Sequence, residues 1–431
     1  MNKSIYRLIF TGLLIAGLVS LNCDEQRSAD KLPDNEFQFP VGLAVHPQGF
    51  ALVVSSNFDL RYQSGSLQAI DLNALEGKIR AGTGLTEDHR DLILDDRAVG
   101  IPNFGGVVKL VSDDNNGLAM VTSRELNELY LIDLEINGSA ISFNCWAGGI
   151  RPSDTKAPLC DGARNVIDLG EDDPFDLLVL EDSDPQADWA ERSWTVYTTF
   201  LRSEFLKVVD IPAGRPVSDD TPSETHELEL SSFGANDLAQ SSASGLIFIT
   251  TRYNDSLTNP IHYFDPSMGA QAEMASQNLY PMFLGNETRG LDFTDDGFTA
   301  VVLVRNPDML VFLDTTLDDS GKPKNTFGGE VIVCSNPSRV QVYQERAYIT
   351  CAEDDAIYVV DTVTRRLVEI REDICRGPFD MAFYSRGGGD DLNWLLVTCF
   401  EDNVVAVVDV DQDSAGYLDV LARVGKLRIE D

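Results

Sequence analysis

The chain contains little histidine and little positive charge. Only four of its 431 residues are histidines, and 33 lysines and arginines stand against 70 aspartates and glutamates, for a net charge of −37. A protein this acidic is repelled by the phosphates of nucleic acids, so nucleic acid is excluded as a partner. Anionic lipid headgroups would not hold it by charge either. The low histidine count also argues against a histidine-rich metal or redox centre.

Long apolar segments and sustained helical periodicity are also missing. The one conspicuous apolar run, residues 8–19, is too short to span a bilayer as a helix, which needs ~20 residues. The composition is nevertheless 43% hydrophobic and 9% aromatic, so the chain can bury a large core. A mostly disordered protein is therefore excluded in spite of the charge.

The amino-terminal segment has the pattern of an export signal. Lys3 and Arg7 precede the apolar run, and Cys23 follows it, immediately before the polar residues Asp24 and Glu25. This arrangement resembles a bacterial lipoprotein signal, in which the chain is cleaved before a cysteine that then carries lipid. The resemblance implies a signal peptide over 1–22, lipidation at Cys23 and a tether over 23–36. The alternative is an ordinary cleaved signal with an incidental cysteine.

Two features recur seven times, in the same interleaved order. The first is a β-rich tetrad: Val53-Val54-Ser55-Ser56, Met120-Val121-Thr122-Ser123, Val196-Tyr197-Thr198-Thr199, Phe248-Ile249-Thr250-Thr251, Val302-Leu303-Val304-Arg305, Tyr348-Ile349-Thr350-Cys351 and Leu396-Val397-Thr398-Cys399. The second is an apolar strand that ends on Asp71, Asp133, Asp210, Asp265, Asp314, Asp361 or Asp409. The last three spacings between these aspartates are 49, 47 and 48 residues, which define the repeating unit.

Each unit contains about four short strands separated by turns. The strands are rich in Val, Ile, Tyr and Thr, which favour pleated, half-buried surfaces. Seven four-stranded units of this length are typical of a β-propeller. The predicted fold is therefore all-β, a single seven-bladed β-propeller of four-stranded antiparallel blades over 37–431.

The sixth unit resembles a known repeat. Ala347-Tyr348-Ile349-Thr350-Cys351, Ala356-Ile357-Tyr358-Val359-Val360-Asp361-Thr362 and Leu367-Val368-Glu369-Ile370 look like the YVTN repeat of seven-bladed propellers. Cys351 and Cys399 depart from that pattern, because they stand where the family usually has Asn. The resemblance covers roughly residues 37–425 and implies an extracytoplasmic propeller used mainly for binding. It implies no single chemistry, because propellers share their architecture across unrelated functions.

Six cysteines remain besides Cys23, and an even number in an exported protein indicates disulfides. Cys334 and Cys375 precede the first strands of the last two units, and Cys351 and Cys399 end the second strands of those units. In an antiparallel blade these positions are neighbours, so Cys334–Cys351 and Cys375–Cys399 are predicted as equivalent pairs. Cys145 and Cys160 are left as a third disulfide pair. Free buried thiols are the alternative.

The inner strands of a propeller begin around one mouth of its central channel. The repeat places the following residues there: Gly42, Val107, Asp176, Asp237, Gly290, Arg339 and Asp380. With the neighbouring Arg289, the charged members are candidates for a polar-ligand or cation site, since carboxylates are hard oxygen ligands. The alternative, which we favour, is a solvated funnel in which the aspartates cap turns or pair with Arg289 and Arg339. No cofactor is predicted; a divalent cation such as calcium is the alternative.

No nucleophile, base and acid follow one another in a catalytic pattern. The sequence therefore favours a non-catalytic, lipid-tethered propeller of the bacterial cell envelope, on the periplasmic face or the cell surface. Its expected partner is an envelope protein or a surface ligand, such as a glycan or a small molecule. The alternative is an extracytoplasmic lactonase-like hydrolase or lyase with a metal at the channel mouth.

Overall fold

The computed structural model describes residues 30–33, 35–85, 89–153, 156–214, 224–252, 259–279, 285–386 and 392–428. The predicted signal peptide and Cys23 lie outside these residues. Cleavage and lipidation therefore stay predictions.

The described residues form seven antiparallel sheets that follow one another along the chain. Blade 1 contains β1 (Pro40–His46), β2 (Phe50–Ser55), β3 (Gly65–Asp71) and β4 (Val99–Ile101). Blade 2 contains β5 (Gly105–Ser112), β6 (Asn116–Ser123), β7 (Glu128–Asn137), β8 (Ala140–Asn144) and β9 (Val166–Asp168), which pairs with β7. Blade 3 contains β10 (Pro174–Glu181), β11 (Trp194–Phe200), β12 (Phe205–Ile211) and β13 (Glu224–Glu229).

The remaining blades have four strands each. Blade 4 contains β14 (Ala235–Gln240), β15 (Ile247–Thr251), β16 (Pro260–Phe264) and β17 (Ala275–Asn278). Blade 5 contains β18 (Asn286–Phe293), β19 (Thr299–Arg305), β20 (Met309–Asp314) and β21 (Thr326–Ile332). Blade 6 contains β22 (Pro337–Tyr343), β23 (Arg346–Cys351), β24 (Ala356–Asp361) and β25 (Arg366–Arg371). Blade 7 contains β26 (Pro378–Arg386), β27 (Leu392–Cys399), β28 (Val404–Asp409) and β29 (Val420–Gly425).

Helical structure is confined to the connections between strands. The described residues contain one α-helix, α1 (Leu72–Arg80), in the long connection between β3 and β4. Short 3₁₀ helices occur at Arg90–Leu92, Asp95–Arg97, Ala147–Gly149, Trp189–Glu191 and Pro266–Gln271. None of these helices is long and apolar enough to cross a membrane. The predicted seven-bladed propeller of four-stranded blades is confirmed, with β9 as an addition to blade 2.

The hydrophobic core lies between neighbouring blades. One cluster joins Leu118 and Leu131 of blade 2 to Leu177 and Trp194 of blade 3, all of them buried. Alternation along each strand makes this packing possible, because successive side chains point to opposite faces of the blade. Both faces of a blade are covered by its neighbours, so the central strands are apolar on both sides.

The threonine of the repeated tetrad links adjacent blades. Thr250 Oγ1 accepts the N–H of Asp237 in its own blade at 3.2 Å and donates to the carbonyl of Arg289 in blade 5 at 2.6 Å. Thr350 makes the equivalent two bonds, to blade 6 and to blade 7. The third position of the tetrad therefore needs a small hydroxyl that can both donate and accept a hydrogen bond. This gives a physical reason for the recurring threonine.

Among the described strands, none is exchanged between the first and last blades where the ring closes. Each blade is built from one continuous stretch, and β1 packs against β26 and β27. Asp380 Oδ2 accepts the N–H of Leu43 at 3.0 Å, and Asn403 Oδ1 accepts the N–H of Phe39 at 2.9 Å. Phe37 is fully buried in the core that blades 1 and 7 share. Side-chain contacts between blades 7 and 1 therefore hold the ring closed.

Two of the three expected disulfides form. Cys334–Cys351 and Cys375–Cys399 are bonded, with Cα–Cα distances of 5.9 and 5.8 Å, so the predicted pairing is confirmed. The third prediction is not met, because Cys145 and Cys160 are free, buried thiols. The Sγ of Cys160 donates to the carbonyl oxygen of Cys145 at 3.3 Å, and the two sulfurs are not joined by a disulfide.

The disulfides give a test of stability. Replacing Cys334 and Cys351 together by Ser should lower the free energy of unfolding by about 3 kcal/mol, because a closed loop of this length restricts the unfolded chain. Equilibrium denaturation measures the change. Cys160→Ala is the control, and it should keep the parent's sensitivity to a reducing agent. Peptide mapping without reduction that found Cys334 and Cys351 unlinked would contradict the pairing.

Candidate functional site

All seven inner strands are irregular where they begin. The pairing register shifts near the start of β1, β5, β10, β14, β18, β22 and β26. Such bulges bend a strand and re-aim its side chains. Five of the seven residues that the repeat places at the mouth line one cavity of about 320 Å³ in the central channel; they are Val107, Asp176, Asp237, Arg339 and Asp380.

Arg339 crosses the channel from blade 6 to blade 3. Its Nη1 lies 2.5 Å from Asp176 Oδ2 and 3.5 Å from Asp237 Oδ2. The side chains of Arg339 and Asp176 are only 8% and 2% exposed. A buried guanidinium of this kind needs paired carboxylates, because desolvation of an isolated charge is very costly.

The other carboxylate contacts are mostly backbone N–H groups of the next blade. Asp237 Oδ2 accepts the N–H of Leu291 in blade 5 at 3.0 Å, as Asp380 does from blade 1. Asp292, in blade 5, accepts the N–H of Val342 in blade 6 at 2.6 Å. These aspartates therefore link neighbouring blades. Asp176 and Asp237 also face Arg339, but the aspartates are not the turn caps of a solvated funnel that the sequence favoured.

Sequence reasoning missed two charged residues of the channel. Lys109 and Asp292 line the same cavity, each two residues after the position that the repeat places at the mouth, Val107 and Gly290. Side chains alternate along a strand, so every second residue from the mouth faces the channel. This period-two pattern was the available signal. The channel cluster is defined here as Lys109, Asp176, Asp237, Asp292, Arg339 and Asp380.

The four carboxylates of the channel cluster differ in pKa, because ionising all of them in a buried site would be energetically unfavourable. Burial would raise the pKa of Asp176, but the charges of Arg339 and Lys109 bring it below its ordinary value. Burial and the charge of Asp176 raise the pKa of Asp237 well above its ordinary value. Burial also raises the pKa of Asp380, and that of Asp292 to about 6. Asp176 is thus the principal counter-ion of Arg339.

Arg289 does not join this cluster. Its Nη2 lies 2.8 Å from Glu287 Oε2, so it pairs within its own strand. Burial, followed by the charges of Arg305 and Arg252, lowers the pKa of Arg289 to about 10. The prediction that Arg289 converges on the channel aspartates is therefore wrong. Arg289 lies one residue before the position that faces the channel, and that offset directs it elsewhere.

The channel aspartates do not have the surroundings of a metal site. Their oxygens accept backbone N–H groups or face a guanidinium, and these donors occupy acceptor sites that a metal ion would otherwise use. Within the described part of the chain, no three or more His, Cys, Asp or Glu residues are grouped to hold a metal ion. The cationic position between Asp176 and Asp237 is taken by Arg339.

Above the channel cluster, the mouth is lined by aromatic rings. A cavity of about 150 Å³ opens there between blades 1, 2, 3 and 7. Its rings form the phenylalanine cup, defined as Phe58, Phe104, Phe175, Phe379 and Phe400. The ring of Phe58 lies 5.9 Å from that of Phe104 and 5.5 Å from that of Phe400, in edge-to-face geometry.

Arg339 joins the two cavities. Its guanidinium lies 5.2 Å from the ring centroid of Phe175 and lines both the phenylalanine cup and the channel cavity below it. Arg124, which pairs with Asp173, is the other charged residue that lines the cup. The cup is therefore an apolar recess whose charged lining residues are arginines, in a chain that is otherwise strongly acidic.

No known family model and no curated protein matches the chain. Among solved structures, it is similar to hydrazine synthase of Kuenenia stuttgartiensis, with 12% identity, a TM-score of 0.55, and coverage of 90% of this chain and 100% of that one. It is also similar to Sqt1 of Saccharomyces cerevisiae, with 6% identity, a TM-score of 0.54, and coverage of 89% and 99%. The periplasmic gluconolactonase PpgL of Pseudomonas aeruginosa gives 14% identity, a TM-score of 0.52, and coverage of 80% and 88%. Likeness at these identities shows the propeller fold and no more.

The pKa of Asp292 gives a test of the channel electrostatics. Its folded value of about 6 exceeds its ordinary 3.8, so the folded protein holds a proton that the unfolded chain has lost between these pH values. The stability from this carboxyl is therefore present at low pH and lost as pH rises through about 6. From pH 5 to 7, the parent should lose about 1.3 kcal/mol more than Asp292→Asn.

Equilibrium unfolding at each pH measures that difference. Asp319→Asn, at an exposed position, is the control for the general repulsion among acidic residues. It should keep the pH dependence of the parent. Identical pH dependence in the parent and Asp292→Asn would contradict a raised pKa at this position.

Proposed function

We propose that this protein is an exported, lipid-anchored propeller of the bacterial cell envelope that binds a partner at its mouth and does not catalyse a reaction. The observation that carries the proposal is the arrangement of polar and apolar groups at the channel mouth. Its carboxylates are engaged by Arg339 and by backbone N–H groups, while an open phenylalanine cup lies directly above them.

The hydrolase alternative requires reactive groups that the channel does not offer. Asp176, Asp237 and Asp380 would have to coordinate a metal ion or transfer protons to a substrate. Each of them instead accepts bonds that hold neighbouring blades or neutralise Arg339. Removing those bonds to free the carboxylates would leave a buried guanidinium or buried N–H groups unpaired, which is costly. We therefore favour binding.

The cup suits an apolar group of about the size of one aromatic ring. A buried cavity of about 150 Å³ is large enough to hold benzene in another protein, and the volume here is about 150 Å³. Burying such a group contributes about 1.5–3 kcal/mol. A partner protein, glycan or small ligand that presents an apolar group would be recognised in this way.

Export is supported by the cysteines. The disulfides Cys334–Cys351 and Cys375–Cys399 fit an oxidising compartment outside the cytoplasm. The amino-terminal signal pattern that precedes Cys23 points to the same address. Lipid at Cys23 would hold the propeller at a membrane without a spanning helix.

The experiment is cross-linking and co-purification from envelope membranes, with the parent compared to Phe379→Ala. Phe379 is half-buried in the cup, and its removal should reduce recovery of the partner about tenfold or more, the equivalent of 1.4 kcal/mol. Phe298→Ala is the matched control, because Phe298 is exposed in the β18–β19 turn at the other end of the propeller. Melting temperatures of all three proteins should show that the variants are folded. Equal recovery by all three would contradict binding in the cup.

A further inference from the structure

The chain leaves the propeller at the mouth. The backbone N–H of Asp30 donates to the carbonyl of Arg61 at 3.0 Å, and the N–H of Gln63 donates to the carbonyl of Asp30 at 3.2 Å. Asp30 thus pairs in parallel with the loop between β2 and β3, at the end of blade 1 where the mouth lies. The described part of the chain therefore begins at the mouth end and not at the outer rim or the opposite end.

That loop carries the most exposed aromatic ring of the mouth. Residues 57–62, called the anchor loop here, hold Phe58 at 54% and Leu60 at 53% exposure. Asn57 fixes the loop, because its side chain donates to the carbonyl of Tyr62 at 2.8 Å and accepts the N–H of Tyr62 at 3.1 Å. The two apolar side chains are thus presented to the outside by a loop with its own internal hydrogen bonds.

The distance from the anchor loop to a lipid at Cys23 is short. Six residues, 24–29, lie between Cys23 and Asp30, so the two are seven Cα–Cα steps apart. At 3.3–3.6 Å for each fully extended residue, the segment reaches at most about 25 Å. A propeller bound through Cys23 cannot turn its opposite end to the bilayer without wrapping this segment around its own body. The mouth is the end that lies nearest the membrane.

Exposed apolar side chains lie at the mouth beside the anchor loop, and two more lie at the mouth end of other blades, Phe233 before β14 and Ile332 at the end of β21. Leu126 of blade 2 and Leu427 after blade 7 are 53% and 52% exposed. The residue that directly precedes the mouth position differs between the two sides of the ring. In blades 1, 2, 3 and 7 it is apolar or glycine: Val41, Gly106, Phe175 and Phe379. In blades 4, 5 and 6 it is polar: Asn236, Arg289 and Ser338. The position of the tether and the position of the apolar surface are separate observations, and they coincide.

We infer that the mouth of the propeller faces the membrane and that Phe58 and Leu60 enter the interface between lipid headgroups and acyl chains. This inference rests on the anchoring at Cys23 contained in the proposed function. The contact is apolar and does not depend on attraction between charges, as the net charge of −37 requires. A lipid anchor and an adjacent apolar loop are two membrane signals that reinforce each other. Molecules that reach the phenylalanine cup would then come from the membrane surface.

The test places a fluorescent tryptophan at each end of the propeller. The mature chain from Cys23 is coupled through that thiol to a maleimide phospholipid, which fixes the anchor whether or not cells lipidate the protein. Cys145 and Cys160 are buried, and the other four cysteines are oxidised, so Cys23 is the reactive thiol. Phe58→Trp is compared with Phe298→Trp, because the native rings are similarly exposed, at 54% and 48%.

Each protein is bound to vesicles of phosphatidylcholine with or without bromine on the acyl chains. Phe58→Trp should lose emission about two-fold in brominated vesicles, since side chains in the interface lie ~5–10 Å deep, near the bromines. Phe298→Trp and the parent, in which three of the four native tryptophans are buried, should be quenched much less. Equal quenching of the two variants, or greater quenching at position 298, would overturn the inference.

Failure here is separable from failure of the proposed function. An unquenched Phe58→Trp, with partner recovery still dependent on Phe379, would leave binding at the mouth intact and remove only the membrane contact. The converse result would keep the orientation and remove the cup as a binding site. Leu60→Trp provides a second position on the same loop, and it should be quenched as Phe58→Trp is.

Discussion

The ion pair between Arg339 and Asp176 is the contact on which the rest of the structure depends. It joins blade 6 to blade 3 across the channel, with both side chains buried. Once Arg339 is in the channel, the remaining aspartates complete its neutralisation or bind backbone N–H groups of the next blade. A buried pair of this kind is not evidence of great stability in itself. Its consequence is geometric, because it occupies the channel and ties opposite sides of the ring.

The ion pair between Arg339 and Asp176 also separates the polar channel cavity from the phenylalanine cup. Below Arg339 lies the polar cavity with its four carboxylates and Lys109, and above it lies the phenylalanine cup. Chemistry that required free carboxylates would have to break the contacts that hold the blades together. Binding in the cup requires no such change. If the proposed lipid anchor holds the chain next to Phe58, the proposed binding face would lie on the membrane side of the molecule.

The fold could be predicted well because the repeat is periodic. The recurring threonine and the strand-ending aspartates mark the blades, and the equivalence of Cys334 and Cys375 identifies their partners. The site was predicted only in part. Asp176, Asp237, Arg339 and Asp380 were placed correctly by the repeat, but Arg289 was not, because one residue along a bulged strand changes the direction of a side chain. The phenylalanine cup could not be predicted, since its rings come from loops and bulges of four blades.

A double-mutant cycle on Arg339 and Asp176 tests the central claim most directly. The variants are Arg339→Met, Asp176→Asn and the combination, and the free energy of unfolding is measured for each. If the pair bridges the channel, each single variant leaves a buried charge without its main partner. The double variant should then cost about 3 kcal/mol less than the sum of the two single costs. Additivity to within about 0.5 kcal/mol would show that the two residues do not interact and would contradict the account.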